Sequence, residues 1–206
     1  FDTTDADGDG IYEVSVLTDD GNGNVVPKTF HVTVSDVAEV PTVESVVIND
    51  GTAQRSMVTS LTVTFDREVT LGSGAFEVTD GGGNQIVLQV NSNSVNGKTV
   101  STITFPGLTG GSLQDGNYRL TVNSELVHVG ADQMETDHID AFFRLFGDVD
   151  GDRDVDSLDY LAFRSTYRRT AADSLFNEAF DADGDGDVDT ADYLIFRSHY
   201  RTRLAP

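Results

Sequence analysis

A mainly β chain closing on a small pair of helices is the architecture this 206-residue sequence predicts, and three observations predict it. Short runs of alternating apolar residues, rich in Val and Thr, recur between Gly-, Asn- and Asp-bearing turns through residues 1–146, the pattern of half-buried strands. Residues 147–206 then drop that alternation and write one acidic loop followed by one helical run, twice over. The charge is extreme, with 35 acidic against 13 basic residues and a formal net charge of −22. Such acidity argues against nucleic acid as a partner, because phosphate contacts need Lys and Arg. It suits a chain neutralised in part by bound cations. No run approaches the ~18–20 apolar residues of a membrane span, and without cysteine the sequence is silent on redox compartment.

Residues 1–41 start with Asp5-Ala-Asp7-Gly-Asp9-Gly10, spaced like the opening of an oxygen-ligand loop. Asp5, Asp7 and Asp9 are therefore candidate weak metal ligands. The twelfth loop position falls on Val16, and Ile11–Val16 alternates as a strand instead of starting a helix. A turn at Asp20–Gly23 leads to a second strand, Thr29–Val34, which makes a hairpin. The hairpin and its exit, Ser35-Asp36-Val37-Ala38-Glu39-Val40-Pro41, resemble the last two strands and linker of cadherin-like repeats. That resemblance implies Asp36 and Glu39 as further weak ligands, although Ala38 stands where such linkers carry Asn. Two strands cannot make a sandwich. The piece reads as the end of a preceding domain, and the chain as a fragment of a longer protein with any export signal upstream.

Residues 42–146 hold strand candidates at Val43–Ile48, Leu61–Phe65, Ala75–Thr79, Ile86–Val90, Val100–Phe105, Tyr118–Val122 and Ile139–Phe146. Turn signals separate them at Asn49-Asp-Gly51, Asp80-Gly-Gly-Gly83, Asn96-Gly97 and Asp115-Gly116. Short strands at this spacing predict an Ig-like β-sandwich. Val63-Thr-Phe-Asp66 followed by Asp115-Gly-Asn-Tyr-Arg-Leu-Thr-Val122 resembles the bacterial Ig-like domains of large secreted and surface-layer proteins.

Residues 147–206 carry the repeat. Asp148, Asp150, Asp152, Asp154, Asp156 and Asp159 occupy positions 1, 3, 5, 7, 9 and 12 of one loop, and Asp181, Asp183, Asp185, Asp187, Asp189 and Asp192 those of the other. This is the ligand register of an EF-hand-type calcium loop. Positions 1, 3, 5 and 12 supply carboxylates, position 7 a backbone carbonyl, and position 9 a water-mediated contact. A solvated acidic run would not repeat both its ligand register and its following helix. Ser157 and Thr190 are candidate N-caps, a short helix near Ser174–Phe180 should join the halves, and Val155 and Val188 at position 8 should pair the loops. Position 6 is Gly186 in the second loop but Arg153 in the first. A left-handed non-Gly residue costs roughly 1–2 kcal/mol, so the first loop is expected to be the weaker site. Carboxylates crowded in a segment with little core should also couple metal binding to folding.

The segment resembles a type I dockerin: two loop–helix repeats with Asp at position 12. The resemblance implies two calcium ions, with further calcium near residues 5–9 as an additional option, and a cohesin-like or other cell-surface protein as partner. It places Ser157, Leu158, Thr190 and Ala191, at loop positions 10 and 11, on the binding face. Arg164, Arg168, Arg197 and Arg201 would add a basic patch there, the alternative being that they neutralise nearby aspartates and helix C-termini. Near-identical repeats would let a partner bind in two orientations.

No nucleophile or zinc constellation is visible. Gly72-Ser-Gly74 lacks the spacing of a nucleophile elbow, and His31, His128, His138 and His199 are scattered; His199 reads as a helix-surface residue. The sequence thus predicts a non-enzymatic, calcium-binding segment of a secreted or cell-surface protein, with the sandwich as spacer. Two rivals remain open: the non-catalytic end of a polysaccharide-degrading enzyme, and a calcium-stabilised structural cap without a partner.

Overall fold

A computed structural model describes residues 11–33 and 40–206, which fall in two compact units divided after Glu39. Asp5, Asp7, Asp9, Asp36 and Glu39 lie outside the described residues.

In the first unit β1 (Ile11–Asp19) and β2 (Val25–Thr33) form an antiparallel hairpin whose register runs from Ile11 opposite Thr33 to Asp19 opposite Val25. The turn is held by Asp20, whose carboxylate accepts from the amides of Asn22 and Asn24. Val14, Val16, Val26 and Phe30 are exposed.

The second unit contains two facing sheets. One comprises β3 (Val43–Ile48), β4 (Ser60–Phe65), β7 (Gln89–Val95) and β8 (Lys98–Thr104) in the order β3-β4-β8-β7. The other runs β12-β9-β6, from β6 (Phe76–Asp80), β9 (Gly116–Val122) and β12 (His138–Arg144). Short β5 (Thr70–Leu71), β10 (Val127–Val129) and β11 (Asp132–Gln133) make a small third sheet. The alternation read in the sequence is realised: Leu61, Val63 and Phe65 from β4 meet Val78, Leu120 and Val122 from the opposite sheet in one core. The strand expected at Ile86–Val90 lies later, at Gln89–Val95. Gln85 and Ile86 still pair with β6, through the Thr79–Gln85 bridge and the bond from Ile86 N to Val78 O, so the ladder with β8 starts only at Gln89.

β12 joins this core to a second. Its adjacent Phe142 and Phe143 point to opposite faces, as strand geometry requires, and Phe142 enters the sandwich core while Phe143 enters the next one. Leu145 and Phe146 follow Phe143 there, and Met57 reaches it from the sandwich. No exposed linker intervenes: Leu145, Phe146, Gly147 and Asp148 are all buried.

The helical segment consists of α1 (Ser157–Thr166), β13 (Arg169–Thr170), β14 (Asp187–Val188) and α2 (Thr190–His199). Phe163 of α1 stacks on Phe196 of α2 with ring centroids 4.7 Å apart, and Phe180 meets both edge-on. Three sequence expectations need correction. The N-caps are Asp156 and Asp189, one residue before Ser157 and Thr190, because a carboxylate at that point closes a reciprocal capping box with the aspartate three residues on. The joining helix shrinks to a 3₁₀ turn at Glu178–Phe180, with Asn177 capping it and its amide tied to Thr166. Val155 and Val188 both fill the small core, but no backbone bond joins them among the described residues. Val155 bonds to Arg201 and Thr202 beyond α2, and Val188 to Arg168 beyond α1, so each loop is closed by the chain leaving the other repeat's helix.

Phe196→Ala is expected to lower the unfolding free energy of the calcium-saturated protein by about 3–5 kcal/mol, measured by chemical denaturation.

Candidate metal centre

Each loop converges on its position-12 carboxylate. Asp159 accepts from Val149 N through Oδ1 at 2.9 Å and from Asp156 N through Oδ2 at 2.8 Å. Asp192 repeats this with Ala182 N at 2.7 Å and Asp189 N at 2.8 Å. One residue thereby ties the loop's entry, its exit and the first turn of the helix together. Position 1 organises the rest: Asp148 accepts from Gly151 N and Arg153 N, and Asp181 from Gly184 N, Asp185 N and Gly186 N.

This folding brings oxygen atoms together in four groups, each within 4.8 Å: Asp148 with Asp150 and Asp159, Asp154 with Asp156 and Asp159, and the counterparts Asp181-Asp183-Asp192 and Asp187-Asp189-Asp192. Asp152 and Asp185, at position 5, fall in none of these groups; their carboxylates accept from the position-7 amides. Asp148, Asp159 and Asp192 are almost wholly buried, at 0 %, 1 % and 1 % exposure. The ion pairs of the described residues lie elsewhere. Taking charge out of water is costly even where backbone amides bond to it. Burial, reinforced by the neighbouring Asp159 and Asp152, pushes the Asp148 carboxyl up to about 6. Burial likewise raises Asp159 and Asp192. Asp187 Oδ1 is buried and has no hydrogen-bond partner.

An all-oxygen donor set of this kind fits a hard divalent cation, and its size and crowding favour calcium over magnesium, which keeps its waters. Asp148, Asp150 and Asp159, and Asp181, Asp183 and Asp192, are the residues that would hold it. The ion would supply the positive charge these carboxylates lack.

The residues expected on the partner face are all exposed: Ser157, Leu158, Arg164 and Arg168 in one repeat, Thr190, Ala191, Arg197 and Arg201 in the other. Leu161 and Leu194, each 58 % exposed, stand among them. Arg164 lies over Tyr160, Arg168 over Tyr167 and Arg201 over Tyr200 at 5.5–5.9 Å, so these three guanidinium groups stack on tyrosine faces.

His199 is not the plain helix-surface residue expected. It is half-buried, its Nε2 lies 2.6 Å from Asp115 Oδ2 and its Nδ1 2.8 Å from Ile195 O. Asp115 and Ile195 O, one at each nitrogen, favour the protonated ring, and the Asp115 bond outweighs burial to raise its pKa. Burial works to raise Asp115, but bonds from His199, Arg144 and Phe146 N hold it below its ordinary value.

The comparison with protein families is confined to this part of the chain: residues 146–199 match the model of the Dockerin type I domain. No curated protein matches the chain.

The buried carboxylates set a pH dependence. Asp148 rises in the fold from 3.8 to about 6, so the metal-free fold holds its proton more tightly than the unfolded chain does. That stability is fully present below the ordinary value and is lost as pH rises through about 6. In chelator, acidifying from pH 7 to about 4.5 should therefore stabilise the helical segment, by ~3 kcal/mol at most from Asp148. With saturating calcium the trend should reverse, because protons then compete with the ion. Thermal unfolding with and without chelator measures both slopes.

Proposed function

We propose that this chain, with a dockerin type I domain at residues 146–199 behind a β-rich region, is a non-catalytic, calcium-dependent docking segment of an exported protein. Its partner on this reading is a cohesin-type module, and the β-sandwich holds the docking face at a fixed distance and angle. One observation carries the reading: two copies of the same buried carboxylate group each start a helix with the same exposed face. In sequence terms that face is Leu161, Arg164, Ser165 and Arg168 in α1 and beyond, and Leu194, Arg197, Ser198 and Arg201 in the second copy. Ions at the loops would fix the angle at which the two helices present these residues, since Asp159 and Asp192 belong both to the oxygen groups and to the capping boxes.

On this reading the segment serves whatever the parent protein carries, an adhesive array or a polysaccharide-degrading enzyme. Extracellular calcium, met by modules with affinities of roughly 10⁻⁴–10⁻³ M, would keep it loaded.

The test is immobilised cohesin modules titrated with the chain in calcium and in chelator. Binding is expected only with calcium. Leu161→Asp or Leu194→Asp alone should cost little, because the other face remains, whereas the double variant should weaken binding by about 30-fold or more. Binding indifferent to calcium, or to the double variant, would overturn the reading. Calcium uptake with no cohesin binding would leave the segment a calcium-stabilised cap.

A further inference from the structure

The two loops differ in how they meet the sandwich. Position 6 of the first loop is Arg153, held at φ 74°, where the second loop has Gly186 at φ 90°. A Cβ at Gly186 would meet nothing within 4 Å, whereas the Arg153 side chain reaches the sandwich. Its guanidinium lies 4.2 Å from the centre of the Phe143 ring and donates to Asn117 Oδ1 at 2.8 Å. The same turn that sends this side chain outward points the Arg153 amide inward, where it donates to Asp148 Oδ2 at 2.9 Å.

Further bonds fix the loop's entrance. Arg55 N donates to Asp148 O at 2.9 Å and Leu145 N returns to Arg55 O at 3.0 Å. Gly147 N donates to Ser56 Oγ at 2.8 Å, and Ser56 donates onward to Ala179 O at 2.5 Å. Gly151, at position 4, lies so close to the sandwich that a Cβ there would overlap the Ala53 carbonyl oxygen.

From this geometry we infer that the first loop is an inter-module cation site: Arg55, Ser56, Asn117 and Phe143 of the sandwich hold it in its closed shape, so that cation binding there and docking of the sandwich reinforce each other. The inference rests on the calcium reading above. Coupling of this kind is reciprocal. An ion on Asp148 favours the turn that places Arg153 against Phe143 and Asn117, and those contacts favour the turn that completes the ion's ligands. They also offset the strain of a left-handed Arg, so the loop with the less suitable residue need not be the weaker site.

The proposal and a purely local view of the loop predict opposite signs. A local view holds that Arg153→Gly relieves strain and tightens the first site, and that Asn117→Ala does nothing. The coupling predicts that either substitution weakens it by about tenfold, and that the double variant is little worse than either single one. Calcium titration of the full chain by NMR, following the Gly151 and Gly184 amides, reads the two loops separately. The second site should stay within about twofold throughout. Unchanged affinity in Asn117→Ala, or tighter binding in Arg153→Gly, would overturn the coupling while leaving the calcium reading intact. Two amides indifferent to calcium in the unaltered chain would overturn the calcium reading and the coupling with it. Undisturbed resonances of Leu120 and Ile103 in the sandwich core verify that each variant is folded.

Discussion

Negative charge withdrawn from water is the constraint on which the C-terminal helical segment of this molecule depends. Asp148, Asp159, Asp181 and Asp192 are buried, and each accepts backbone amides on both carboxylate oxygens. Those bonds dictate the path of the loops, the start of each helix and the position of the valines that fill the small core. Amide bonds alone leave the charge inadequately compensated, as the elevated carboxyl of Asp148 shows. Such an all-oxygen donor set suits a hard cation, which would also stiffen the two helices relative to each other. The same carboxylates thus shape the loops and form the oxygen groups that fit a cation.

The aromatic core has the opposite character. Phe163, Phe180 and Phe196 are fully buried and touch one another, yet the segment they stabilise is short and would bury little by itself. The sandwich enlarges it. Met57, Phe143, Leu145 and Phe146 add to the same cluster, and the strand carrying Phe143 lends its other face to the sandwich core through Phe142. Docking by way of a shared strand removes the free linker that two separately folded domains would need. The polar side of the junction follows the same logic: Asp115 gathers Arg144, Phe146 N and His199, bringing the end of α2 onto the sandwich.

Backbone strain is distributed along the repeats. Arg153, Arg168 and Arg201 all take left-handed conformations that glycine would adopt at no cost. In each case the side chain stacks on an aromatic ring, Phe143, Tyr167 or Tyr200, and the backbone amide makes a bond that closes a loop. Arg168 and Arg201 accordingly have a structural role: they end the helices and join one repeat to the other.

Much of this was legible in the sequence, because it depends on short-range pattern. Alternation along β4, β8 and β9 placed Leu61, Val63, Ile103 and Leu120 inside, since a strand's period of two leaves no other choice. The Asp register defined both loops and placed a helix after each. Other features were visible but misassigned: Asp156 and Asp189 were read only as loop residues, although an Asp three residues before another is also a helix cap. What the sequence could not decide were the contacts between distant segments. Nothing local to Ser56, Asn117 or Asp115 marks them as the residues that meet Gly147, Arg153 and His199, because those pairings arise only when β12 carries the chain from one core into the other. The sequence by itself determined most of the longer strands, both α-helices and the two oxygen-rich loops, through periodicity and spacing. Only the tertiary structure decided that the first loop closes against the sandwich, since a long-range contact depends on where the folded chain returns and not on its neighbours in sequence.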